Sequence, residues 1–302
     1  MATLHTLTLP DGRTLAYSDL GPEGGLPVLH QHAHPGSRLE LHAYPDLEAL
    51  LHRLNLRLIT PDRPGIGESS PRADHSFLGW SDDLLALADH LGLGHFALTS
   101  YSAGAPFLYA SALRAPQRVL AAAVLAGPCP WDLPGAMRGM GSVRMYWGAA
   151  RLHPRLLGFM LGQMIASGKR GLPGNARAAM MAEPDFEVVS KPGVHRDLIE
   201  KVYMTATARG IAGLAAEARL YLRPWGFRLE EVPVEVDLWH GDLDQNATWA
   251  QLERVAERLP HRRVHRLTGD AHLTIVYRHL PAILENLAVR ARSALAPLTA
   301  AV

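Results

Sequence analysis

The stretch HFALTSYSAGAPFLYASALRAP, residues 95–116, decides how this chain is read. Its first part is an apolar run of strand length, its last part has helical composition up to a break at Pro116, and only an abrupt turn joins them. Ser102 sits on that turn, with the small residues Ser100 and Gly104 two positions away on either side. Small neighbours let the backbone fold sharply enough to hold a serine hydroxyl above the end of a sheet.

With 302 residues, 48% hydrophobic and 20% charged, the chain is long and apolar enough to bury a large core, as one domain or as a domain carrying an insertion. Its 30 basic and 29 acidic side chains leave a formal charge of +1, so no global field points to nucleic acid or an anionic membrane. Small neutral or mixed substrates fit better. The densest basic run, HRRVHR at 261–266, reads as the entrance of an exposed strand. Cys129 is the one cysteine, which rules out an intramolecular disulfide and a thiolate-rich metal site and fits a reducing compartment. The first residues lack the charged and apolar regions of a signal peptide, and no stretch approaches the roughly 18 to 20 apolar residues of a membrane span. A soluble, cytoplasmic protein is expected.

In chain order, residues 3–9 and 13–20 alternate around Pro10, Asp11 and Gly12 as an edge hairpin. LPVLHQHA, 26–33, is a short strand broken by Pro35 and Gly36, and a helix is expected from there to about Leu54. His30, His32 and His34 share a period-2 face, a spacing that metal sites use. Pro35, Gly36 and Ser37 follow, where the familiar metallohydrolase pattern continues with an aspartate and a histidine, so no metal is expected. LNLRLITPDRPGIGESSP, 54–71, is a strand and a glycine-proline loop in which Asp62 and Arg63 read as architectural. Residues 76–92 have helical spacing, 103–115 is a helix, and VLAAAVLAGP, 119–128, suits a strand buried on both faces.

Strands alternating with helices predict a mostly parallel, doubly wound α/β sheet. From 129 to 231 the alternation stops, and this segment is expected to be a helical cap inserted between core segments 1–128 and 232–302. Eight of the nine methionines fall in it: Met137, Met140, Met145, Met160, Met164, Met180, Met181 and Met204. Most should hold cap helices together, with some lining a pocket beside Trp131, Tyr146 and Trp147, the candidate substrate-binding aromatics. VPVEVDLWHGDLDQNAT, 232–248, ends a strand in Gly241-x-x-Asp244. After a helix over 248–259 and a strand over 262–267, TGDAHLTIVYRH sets His272 beyond the Gly269 turn.

These motifs resemble the α/β-hydrolase fold family over roughly residues 1–128 and 232–290. Ser100-x-Ser102-x-Gly104 is similar to its nucleophile elbow, with Ser100 in place of the usual first glycine. His32-Ala33-His34-Pro35-Gly36 is similar to its oxyanion loop, with alanine at a usual glycine. The loop over 62–69 and the order Ser102, Asp244, His272 also match. The resemblance implies Ser102 as nucleophile, His272 as base and Asp244 as acid, with Asp242 the local rival for the last role. It implies the backbone N–H groups of His34 and Ala103 as oxyanion donors. The implied activity is a cofactor-free serine hydrolase acting on an ester, thioester, lactone or similar small acyl substrate. An acyltransferase, a perhydrolase and a C–C hydrolase share the triad. Ser102 disfavours relatives with an aspartate nucleophile, and Ala103 stands where proline iminopeptidases carry tryptophan. A non-catalytic small-molecule binder on the same scaffold is the alternative of another class. Oligomeric state stays open, a homo-oligomer included.

Overall fold

The computed structural model describes residues 3–170 and 181–299. Eight strands form one sheet: β1 (His5–Thr8), β2 (Thr14–Leu20), β3 (Leu26–Gln31), β4 (Leu56–Pro61), β5 (Phe96–Tyr101), β6 (Val119–Leu125), β7 (Val236–Gly241) and β8 (Arg262–Leu267). Their spatial order is β1-β2-β4-β3-β5-β6-β7-β8. The hairpin β1–β2 and its junction with β4 are antiparallel, and every pairing from β4 to β8 is parallel. The fold is thus the expected α/β-hydrolase fold, with a mostly parallel, doubly wound sheet.

Period-2 alternation explains how the central strands bury both faces. Leu29, Ile59, Leu98, Ala122 and Val124 pack on one face with helices Phe77–His90 and Ala105–Arg114. Val28, Leu58, Ala97, Ala121 and Ala123 pack on the other with helix Leu47–Leu54 and the long helix His272–Thr299. By contrast β8 is largely exposed, and its basic residues are paired at the sheet edge: Arg263 with Glu235, His265 with Asp237, Arg266 with Asp242.

One expected element is corrected. The helix anticipated from Gly36 to Leu54 is only a single turn at Leu41–Ala43 followed by a separate helix at Leu47–Leu54. The cause is Pro45, which drives the preceding Tyr44 to φ −77° and ψ 130°, an extended conformation that a helix cannot contain.

Between β6 and β7 the described residues form helices Val143–Leu152, Pro154–Arg170, Glu183–Val189, Val194–Asp197 and Ala212–Tyr221, with a π-helical stretch at Leu198–Met204. Helix Ala212–Tyr221 rests backbone on backbone against the loop after β4, because a Cβ on Gly213 would overlap the Gly65 carbonyl oxygen. Of the methionines singled out from the sequence, Met140 is buried, Met145 and Met204 are exposed, and Met180 lies outside the described residues.

The turn after β5 depends on a second close approach. A Cβ on Gly104 would overlap the Gln31 carbonyl oxygen at the end of β3, so position 104 admits only glycine. Gly104→Ala is expected to lower stability by about 3 kcal/mol, the upper part of the range for over-packed interiors, as a fall in the urea midpoint.

Candidate active site

Ser102 is the first residue beyond β5 and has φ 51°, a left-handed conformation that a non-glycine residue adopts only when its surroundings force it. Here those surroundings are β5, buried along its whole length, and the helix starting at Ala105. The strained turn leaves the hydroxyl partly exposed at the carboxyl end of the sheet, 2.9 Å from His272 Nε2. On the other side of that ring, His272 Nδ1–H donates to Asp244 Oδ2 at 2.7 Å. Asp244 is itself held, its Oδ1 accepting from the Asn246 and Ala247 N–H groups at 2.7 and 3.0 Å. Residues 170 and 28 positions apart in the chain thereby form one hydrogen-bonded row. Asp242, the rival acid, points elsewhere and ties the Arg266 guanidinium and the Gly269 N–H to its own loop.

Burial alone would push the His272 imidazole down, but the charge and hydrogen bond of Asp244 outweigh it, and its pKa lies above the ordinary 6.5. Behind Asp244, His240 is driven lower by burial and stays neutral, donating from Nε2 to the Ala247 carbonyl at 2.7 Å. Two further contacts brace His272. The Tyr101 hydroxyl donates to its carbonyl at 3.2 Å, and Asp185 accepts from the N–H groups of His272, Leu273 and Thr274 at 3.1, 2.7 and 3.1 Å. Asp185 is the kind of acidic group that suits a helix N-terminus. No local pattern around it signals this role, since its partners lie 87 to 89 residues away.

The three histidines of the second motif do not converge. His30 Nε2 faces Glu40 at 3.3 Å, His32 Nδ1–H donates to the Ala33 carbonyl at 2.8 Å, and His34 lies between Glu217 and Tyr146. Among the described residues no group of three or more His, Cys, Asp or Glu side chains is arranged to hold a metal ion. His34 Nδ1–H donates to Glu217 Oε1 at 2.9 Å, and its Nε2 accepts from the Tyr146 hydroxyl at 2.7 Å. The aromatics singled out from the sequence gather here. Trp147 packs against Trp131, Tyr146, Tyr221 and His34, with ring centroids 4.2, 5.1, 5.4 and 5.5 Å away. Trp147 itself is buried, while Trp131 and Tyr146 are partly exposed.

Two buried charges stand beside this cluster: Glu217, which no sequence motif marks, and Arg63, read from the sequence as architectural. Both are fully buried, and they form a two-pronged ion pair, Nε to Oε2 at 2.6 Å and Nη2 to Oε1 at 2.8 Å. The one signal in the sequence was an isolated acidic residue inside the apolar run GLAAEARLY, 213–221. Among the described residues no helix is long and apolar enough to cross a membrane.

Comparison with known proteins agrees with this architecture. Over 117 residues the chain is 35% identical to the dihydrolipoyllysine-residue acetyltransferase component of the acetoin cleaving system of Pseudomonas putida, a match covering 38% of this chain and 30% of that protein. Over 128 residues it is 30% identical to the non-heme chloroperoxidase of Streptomyces lividans, covering 42% and 45%. The chain therefore spans less than half the length of these relatives. Among solved structures, a thermophilic esterase from Thermogutta terrifontis superposes with a TM-score of 0.70 at 22% identity, covering 96% of this chain and 99% of that one. The enol-lactonase from Burkholderia xenovorans superposes with a TM-score of 0.66 at 16% identity, covering 96% and 100%. At such identities the likeness is one of fold. A family model described as alpha/beta hydrolase fold matches residues 27–278, and the chain belongs to that family.

Proposed function

We propose that this protein is a serine hydrolase that cleaves an ester, thioester, lactone or similar small acyl substrate through an acyl-enzyme on Ser102. The observation that carries the reading is the row Ser102 Oγ, His272 and Asp244, with links of 2.9 and 2.7 Å. A serine hydroxyl is a poor nucleophile at neutral pH, so its proton must leave as it attacks. His272 Nε2 takes that proton while Ser102 Oγ bonds to the substrate carbonyl carbon, and Asp244 keeps the other ring nitrogen protonated and offsets the imidazolium charge. The tetrahedral oxyanion is received by the N–H groups of His34 and Ala103. Collapse expels the leaving group, which takes the proton from His272. A water molecule activated by the same ring then releases the acid and restores Ser102. The helices between Pro128 and Val232 act as a cap over this site, with Trp131, Tyr146 and Trp147 on its inner side. The esterase and lactonase names among the structural relatives favour this chemistry.

Only neutral His272 can act as base, and its pKa is raised, so activity is lost as pH falls through a value above 6.5. The same shift makes the charged His272 a stabilising group below its unfolded pKa, a contribution lost as pH rises through the folded value. The test is hydrolysis of p-nitrophenyl esters of graded acyl length, with kcat/KM followed against pH. An acid limb above pH 6.5 on the best ester is expected. Hydrolysis that a chelator abolishes and zinc restores would overturn the reading.

A further inference from the structure

We infer that Arg63, clamped by Glu217, is a positioning residue that aims the His34 N–H at the acyl oxygen; the inference rests on the serine-hydrolase reading above. Arg63 has no exposed surface, and its planar fork is used on two sides. One side grips Glu217. On the other, Nη1 donates to the His32 carbonyl at 2.5 Å and Nη2 to the Ala33 carbonyl at 2.9 Å. The intervening Ala33 N–H donates to both oxygens of Glu40, at 2.9 and 2.8 Å.

Peptide planarity turns these contacts into an aiming device. In a trans peptide the C=O and N–H point in opposite directions, so drawing the Ala33 carbonyl toward Arg63 turns the His34 N–H away from it. The 32–33 peptide is held at both ends, by Arg63 and Glu40, and the 33–34 peptide at its carbonyl end, which leaves the His34 N–H as its remaining donor. Glu217 also lies near the turn that carries the second proposed donor. The Tyr221 hydroxyl, one helical turn beyond it and 3.4 Å from its Oε1, donates to the Ala103 carbonyl at 2.8 Å. A residue 154 positions from Arg63, in the inserted helices, thus holds the guanidinium that grips the His32 and Ala33 carbonyls. A plain tether between cap and core would need only the ion pair and would be indifferent to which carbonyls Arg63 touches.

The test compares wild type with Arg63→Lys, which keeps the buried charge but loses the fork, and with the apolar pair Arg63→Met/Glu217→Leu, which removes both charges together and so spares folding the cost of one left unpaired. The readouts are kcat and KM for p-nitrophenyl acetate, inhibition by a boronic acid that forms a tetrahedral adduct, the pH limb of kcat/KM, and a thermal melt. Positioning predicts a fall in kcat of about tenfold to a hundredfold in both variants, with KM and the pH limb unmoved and boronate affinity falling in step with kcat. A folded variant of either kind with wild-type kcat, or with lowered kcat but unchanged boronate affinity, overturns the inference and leaves the serine-hydrolase reading standing. If wild type neither hydrolyses the ester nor takes up a fluorophosphonate at Ser102, both fall together.

Discussion

Replacing Ser102 by alanine is expected to reduce kcat for ester hydrolysis by about a millionfold while leaving KM nearly unchanged. The size follows from the loss of the covalent route, since among the described residues no other hydroxyl lies within hydrogen-bonding distance of His272 Nε2. Stability should change little, because alanine meets the same left-handed φ of 51° and loses only a partly exposed hydroxyl. A fluorophosphonate probe provides the independent measurement. Wild type should gain one adduct on the peptide containing Ser102, and labelling of Ser102→Ala to the same extent sinks the nucleophile assignment. Ser100→Gly is the matching control. Its hydroxyl is buried without a hydrogen-bond partner, so its removal should leave hydrolysis intact.

The second large effect is expected at Asp244. Asparagine there is nearly isosteric, yet its amide nitrogen cannot accept the His272 Nδ1 proton, which favours the tautomer whose Nε2 is already protonated and unable to take one from Ser102. A loss in kcat of about ten-thousandfold follows. The acid limb of the pH profile should also move down, because the carboxylate that raises the His272 pKa is gone. Asp242→Asn separates this from a general loop effect. It breaks a half-exposed pair with Arg266, of the kind worth less than about 1 kcal/mol, and touches nothing in the row. If the two variants lost activity equally, Asp244 would not be the acid.

Residues whose partners are near in sequence, or whose role is written in local backbone geometry, are legible in the chain itself. The turn at Ser102, the loop that bends after Gly241 and the one that delivers His272 all announce themselves through small residues at the end of an apolar run. The period-2 and helical patterns suffice for the architecture, since both report on burial that every strand and helix feels. The break at Pro45 is also written in the chain, and the proline rule applied to Tyr44 accounts for it.

Arg63, Glu217 and Asp185 are different. Asp62-Arg63 reads as loop architecture, and for Asp62 that is what the contacts describe: it accepts from the Arg38 N–H and guanidinium and from the Glu68 N–H. Arg63, one residue on, engages a glutamate that no local motif marks. Asp185 caps a helix that begins 87 residues later in the chain. By itself, then, the sequence determined the fold and singled out Ser102, His272 and Asp244, because strand ends and glycine turns encode position locally. Only the tertiary structure decided which buried charges stand behind them. A hydrogen bond between residues 154 apart depends on how the inserted helices dock, and that docking is set by shape, such as Gly213 against Gly65, which no local pattern spells out.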